Sequence, residues 1–107
     1  MANIQHICIV GVGRMSKAIA IAFAYAGLPA QLIDAKERPV NEFETYQQQA
    51  LQDISKELQL LVSTGFLLQA DVEQVLGRIR VLSKSEAPEF LQRCDLIMEG
   101  VSEVREA

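Results

Sequence analysis

The stretch ICIVGVGRMSKAIA, at positions 7–20, constrains the fold more than any other part of the chain. A short apolar run without turn residues reads as a strand buried on both faces, as in a parallel sheet. The run breaks at Gly11-x-Gly13 and restarts at Met15 as an alanine-rich apolar helix. Strand, glycine turn and helix together aim free backbone N–H groups and a positive helix end at a phosphate. Gly11 allows the tight turn, and Gly13 has no Cβ to obstruct a pyrophosphate approaching the backbone. Ser16 stands at the third position of this pattern, where Gly or Ala is usual. Its hydroxyl must therefore fit a close helix–strand contact.

The context that gives such a turn meaning follows at once. The helix from Met15 to about Ala26 stops at Gly27, with Pro29 just beyond. A second apolar strand, Ala30 to Ile33, runs into Asp34, roughly 20 residues past the glycines. An acid there accepts hydrogen bonds from both ribose hydroxyls and repels a 2′-phosphate, which favours NAD over NADP. The plainer alternative is that Asp34 merely ends a strand. Lys36 and Arg38 follow closely and soften the discrimination, but a base in place of Asp34 would be the stronger sign of NADP. The reading is a dinucleotide site of the NAD type.

Length and composition narrow the class. At 107 residues the chain is one domain, and 50% apolar residues without Trp suit an α/β core. A formal charge of −4 and no basic cluster argue against nucleic acid. No apolar stretch approaches the roughly 20 residues of a membrane span. The start, MANIQH, has no basic region and enters the first strand directly, so no secretory signal is read and a cytoplasmic protein is expected. Cys8, inside a strand, and Cys94, just before another, read as small buried hydrophobes. With no Cys-x-x-Cys and one histidine, neither a metal site nor a disulfide framework is expected. That histidine, His6, precedes the first strand. Ligands bind beyond the carboxyl ends of parallel strands, so His6 is expected to be structural or solvent-facing rather than a general base.

After Pro39, apolar residues from Val40 through Phe43, Tyr46, Ala50, Ile54 and Leu58 to Val62 recur at three- and four-residue steps, one face of a long helix that Gly65 ends. A second helix is predicted over Ala70–Arg78. Two helices where one crossover is needed form an inserted hairpin beside the nucleotide site. A third strand is predicted over Arg80–Ser83, a short helix over Pro88–Gln92, and over Asp95–Val101 a fourth strand with the loop at its carboxyl end. This order builds the first half of a doubly wound sheet, strand order 3-2-1-4. Strands five and six are missing, which leaves an apolar edge on the fourth strand. The chain is therefore expected to be a piece of a longer polypeptide, with pairing of that edge in a homodimer as the alternative.

Gly11-Val12-Gly13-Arg14-Met15-Ser16-Lys17-Ala18-Ile19-Ala20, Phe23-Ala24, Gly27 and Leu32-Ile33-Asp34 resemble the NAD-binding domain of L-3-hydroxyacyl-CoA dehydrogenases. So do the hairpin ending in Asp71-Val72-Glu73 and Arg78-Ile79-Arg80-Val81, and the segment from Cys94 through Glu99-Gly100-Val101-Ser102-Glu103. The resemblance spans the whole chain. It implies a Rossmann-type fold and an oxidoreductase of fatty acid metabolism that oxidises the 3-hydroxyl of an acyl-CoA to a ketone, using NAD. Gly11, Gly13, Arg14, Met15 and Ser16 would form the pyrophosphate turn. Asp34 would hold the adenosine ribose, Glu103 would lie near the nicotinamide ribose, and Val101 would be a further cofactor contact. Glu99 falls within the strand end, where a structural role competes. The family's catalytic His–Glu pair and its helical second domain have no counterpart before Ala107, so no catalytic residue is assigned and NAD binding without turnover is expected. The stretch Gln49 to Glu57 matches the family's CoA-contacting helix poorly, so relatives acting on carnitine or a sugar acid stay open as models for the substrate. Two other readings compete: a stand-alone regulatory module that binds a dinucleotide, and a fold whose site Ser16 has disabled.

Overall fold

The computed structural model describes residues 5–99. The elements, in chain order, are β1 (Ile7–Val10), α1 (Arg14–Tyr25), β2 (Ala30–Ile33), α2 (Val40–Ser63), α3 (Gln69–Gly77), β3 (Ile79–Leu82), α4 (Ala87–Leu91) and β4 (Leu96–Glu99), with a 3-10 turn over Lys84–Glu86 before α4. The four strands form one parallel sheet in the order β3-β2-β1-β4, the order expected from the pattern. The register aligns Ile7 with Ala30 on one side and with Leu96 on the other.

The strands are buried unequally on their two faces. Ile7, Ile9, Ala30, Leu32, Ile79 and Val81 meet Ala20 and Ala24 of α1, Ile54 and Leu58 of α2, and Val72 and Val75 of α3 in one cluster. This is why the hairpin residues recur at helical spacing: the middle of α2 and all of α3 cover the sheet beside α1. Only the ends of the hairpin extend past it, where Val40, Phe66 and Leu68 are exposed. On the other face Cys8, Ile33 and Leu82 lie under Ala87, Phe90 and Leu91 of α4. That cover is thin, and Ile97 of β4 remains exposed.

Both long helices stop where glycine permits. After α1 the N–H groups of Gly27 and Leu28 bond to the carbonyls of Ala24 and Phe23; after α2 those of Gly65 and Phe66 bond to Val62 and Leu61. Gly27 and Gly65 have φ of 99° and 87°, so each closes the helix with a left-handed residue. The outer edge of β3 is partly covered, because Gln47 Nε2 of α2 donates to the Val81 carbonyl at 2.8 Å.

Two expectations change. The fourth strand does not begin at Asp95: the Asp95 carboxylate turns back and accepts the N–H groups of Gln5 and His6 at 2.8 and 2.9 Å, and the strand starts at Leu96. Residues past Glu99, including Gly100 and Val101 of the predicted segment, lie outside the described residues. Cys8 and Cys94 are not separate hydrophobes: they form a disulfide, with Cα atoms 5.9 Å apart. The sheet brings them together because β4, which follows Cys94, pairs directly with β1.

Candidate functional site

Sheet pairing runs right up to the glycine turn. Gly11 has φ of 116°, and its N–H donates to the Ile33 carbonyl at 2.7 Å. Beyond it the bonding stops. Among the described residues, the N–H groups of Val12, Gly13, Arg14, Met15 and Ser16 have no backbone acceptor; the first bond of α1 is Lys17 N–H to the Gly13 carbonyl at 3.0 Å. Among the described residues no side chain caps this end, and no acid lies in its first turn. The helix terminus therefore presents roughly half a positive charge together with orphan donors. Gly13 has φ of −83°, open to any residue, and a Cβ there would meet none of the described residues within 4 Å. The backbone does not require glycine at 13, whereas the open space before the amides is what a Cβ would intrude upon.

The neighbouring predicted residues gather at the same turn. Arg14 and Met15 are exposed on the first turn of α1. Ser16 is fully buried, as the close helix–strand contact demands, and its Oγ finds no hydrogen-bond partner among the described residues. Such an orphan costs on the order of 1–3 kcal/mol. The extra hydroxyl is accommodated sterically but not satisfied.

Asp34 follows β2, next to β1, and is 2% exposed. Its N–H donates to the Leu82 carbonyl at 2.9 Å, so β3 fixes its backbone. Its carboxylate accepts the Lys36 N–H at 3.0 Å and forms an ion pair with the Arg38 guanidinium. Arg38 in turn lies 3.8 Å over the Tyr46 ring of α2. The hydrogen bond to Asp34 holds the Arg38 pKa above its ordinary value. Burial, and then the Asp34 charge, push the Tyr46 phenol up. A carboxylate offers about four lone-pair sites, so the two short contacts leave capacity for further donors. Helical periodicity places Tyr46 only on the apolar face of α2; its stacking on Arg38 has no sequence signature, since it depends on where α2 starts relative to β2.

A groove of about 610 Å³ runs between α1 and α2, lined by Arg14, Lys17, Ile21, Asp53, Ile54 and Glu57. Lys17 Nζ lies 2.9 Å from Asp53 Oδ2, and Gln49 Nε2 donates to Asp53 Oδ1 at 3.0 Å. These bonds, Lys17 first, hold the Asp53 carboxyl below its usual range. His6 sits at the opposite end of the sheet, exposed, 3.9 Å from Asp95. Val101 and Glu103 lie outside the described residues. Among the described residues no group of three or more His, Cys, Asp or Glu could hold a metal ion, and no helix is long and apolar enough to cross a membrane.

A parallel 3-2-1-4 sheet, whose first strand runs through a glycine turn into an uncapped helix and whose second ends at a buried acid, defines a dinucleotide-binding domain. Over residues 6–107 the chain matches the family described as "3-hydroxyacyl-CoA dehydrogenase, NAD binding domain", and it belongs to that family of oxidoreductases, with NAD as cofactor. Among solved structures it is similar to (S)-3-hydroxybutyryl-CoA dehydrogenase from Ralstonia eutropha, with 25% identity and a TM-score of 0.76 over 96% of this chain and 33% of that one. It is also similar to 3-hydroxybutyryl-CoA dehydrogenase from Escherichia coli, with 25% identity and a TM-score of 0.74 over 96% of this chain and 20% of that one. The dehydrogenase part of a multifunctional enzyme from C. elegans, at 24% identity and a TM-score of 0.73 over 96% of this chain and 21% of that one, shares the fold. The chain thus spans a third or less of the length of these proteins.

Proposed function

We propose that this chain is the coenzyme-binding part of an NAD-dependent 3-hydroxyacyl-CoA dehydrogenase of fatty acid metabolism. The observation that carries the reading is the row of N–H groups from Val12 to Ser16 that have no backbone acceptor among the described residues, next to a Gly13 whose Cβ position is open among those residues. These donors and the helix end would bind the diphosphate, as free amides at a helix N-terminus do. Asp34 would use its remaining lone pairs for the adenosine ribose, while Met15 offers the ligand an exposed apolar surface. Glu103 is assigned to the nicotinamide ribose, and Val101 to the cofactor, from family resemblance alone. Bound NAD supplies the hydride acceptor, and the substrate is a 3-hydroxyacyl thioester reached through a further domain.

Taking a proton from the 3-hydroxyl needs a base beside the nicotinamide. The one histidine, His6, lies at the other end of the sheet, so the chain alone binds NAD and does not turn over substrate. A second reading concerns the handle rather than the chemistry. The groove between α1 and α2 carries Asp53 and Glu57 opposite Arg14 and Lys17, and Asp53 already neutralises Lys17. That balance suits a zwitterionic or hydroxylated 3-hydroxy acid, such as carnitine or a sugar acid, as well as it suits CoA.

The test is a fluorescence titration with NADH. Wild type binds, and Asp34→Ala binds about 10–100-fold more weakly, the loss of charge-assisted hydrogen bonds worth about 1.5–3 kcal/mol. Equal affinity in the two chains removes Asp34 from the site. Dehydrogenase turnover on adding NAD and 3-hydroxybutyryl-CoA to the chain alone refutes the claim that it lacks a base.

A further inference from the structure

At the amino end of the strands, away from the glycine turn, the thinly covered face of the sheet holds the Cys8–Cys94 pair. Cys8 is fully buried on β1 and Cys94 half-buried ahead of β4. Their Cα separation of 5.9 Å is one that a disulfide spans without backbone movement. Cys8 Sγ also lies 3.9 Å from Gln31 Oε1 and 3.8 Å from the Phe90 carbonyl. Both are acceptors, and a sulfur can donate to them only as a thiol. The site therefore has partners for Cys8 in either redox state, so opening the bond strands no buried S–H group.

Cys94 and Gln31 line a cavity of about 340 Å³ together with Arg78, Arg80, Phe90 and Arg93. Arg78 spends one nitrogen on the Ala24 carbonyl at 2.9 Å, and Arg93 lies 3.6 Å from Glu89. Even with the Glu89 and Asp95 carboxylates counted at the same edge, the three guanidinium groups leave the opening net positive, which concentrates anions.

We propose that Cys8 and Cys94 form a reversible dithiol–disulfide site, oxidised by a small anionic disulfide of the glutathione type entering through this arginine-lined cavity. The more accessible Cys94 thiolate attacks one sulfur of the small disulfide, forms a mixed disulfide and expels one small thiolate. Cys8 gives its proton to that thiolate and attacks Cys94 Sγ, closing the protein bond and expelling the second thiolate, which takes from solvent the proton that Cys94 released on ionising. Two protein thiols are oxidised by two electrons and one small disulfide is reduced to two thiols; excess small thiol reverses both steps. The closed bond ties the α4–β4 junction to β1 across 86 residues of sequence, so oxidation raises the Tm by about 10 °C. The inference is independent of the nucleotide reading.

The test equilibrates the chain with mixtures of glutathione and its disulfide, traps free thiols by alkylation and counts them by mass spectrometry. Wild type passes from two alkylated cysteines to none, and Cys8→Ser stops with one glutathione on Cys94. The Arg80→Glu, Arg93→Glu double variant is oxidised about tenfold more slowly by glutathione disulfide but at the wild-type rate by an uncharged disulfide. Two thiols persisting in wild type under excess glutathione disulfide overturn the proposal, as does Cys8→Ser that folds yet takes up no glutathione. An unchanged oxidation rate in the charge-reversed variant overturns the role of the cavity.

Discussion

The two ends of the sheet treat their backbone in opposite ways. At the amino end nearly everything is tied down. Asp95 accepts two backbone N–H groups, the His6 carbonyl accepts those of Asp95 and Leu96, the Pro29 carbonyl accepts that of Ile7, and the Arg78 carbonyl accepts that of Ala30. At the carboxyl end the N–H groups from Val12 to Ser16 have no acceptor among the described residues, and no side chain caps α1. A small domain has stability to gain from closing both ends. Donors without acceptors among the described residues at one end only fit the proposed role of that terminus in holding the coenzyme, and the difference predicts that changes at the two ends separate binding from folding.

The largest effect is expected from Gly13→Asp. Its backbone conformation suits any residue, none of the described residues blocks the new side chain, and aspartate is among the best helix N-caps. Its carboxylate would take the open N–H groups and repel a diphosphate. The chain should fold with an equal or higher Tm while NADH affinity falls by at least ~100-fold. Retained affinity in a titration would break the link between the open amides and the cofactor. A smaller effect is expected from Arg38→Ala, which unpairs Asp34 and leaves its charge uncompensated beside the ribose site. NADPH binding should weaken by several-fold relative to NADH, because the guanidinium no longer offsets repulsion of a 2′-phosphate. Competition between the two nucleotides measures this, and an unchanged ratio would show that Arg38 plays no part in cofactor choice.

The carboxyl end was far more legible in the sequence than the amino end, for a physical reason. The turn at Gly11, the helix from Arg14 and the acid at Asp34 are local: each depends on neighbours a few residues away and on the alternation of strand and helix periods. Packing of α2 and α3 was legible too, since Ala50, Ile54, Leu58, Val72 and Val75 repeat at helical spacing. The amino end is built from partners far apart in the chain. Asp95 bonds to Gln5 and His6, Arg78 to Ala24, and Cys94 to Cys8, and only the pairing of β4 with β1 brings most of these together. Even the strand order did not suffice for the cysteines. Cys94 precedes a turn centred on Asp95 rather than lying in β4, so counting alternate residues back from Leu96 misplaces it.

The smallest effect belongs to Asp95, and it carries a sign. The N–H groups of Gln5 and His6, and then the His6 ring, hold its carboxyl below the ordinary range in the folded chain. A depressed folded pKa contributes stability above the unfolded value, near 3.9, which is lost as pH falls through the folded value. Asp95→Asn keeps the shape but loses the charge. The Tm gap between wild type and this variant should persist, at a few degrees, from pH 7 down to pH 5, and should close below about pH 4. Asp53, whose carboxyl is also depressed, is present in both chains and cancels in the difference. NADH affinity at pH 7 should not change. If it falls with Asp95→Asn, strain at the amino end reaches the open amides along β1, and the two ends are one mechanical unit rather than a closed base beneath an open site.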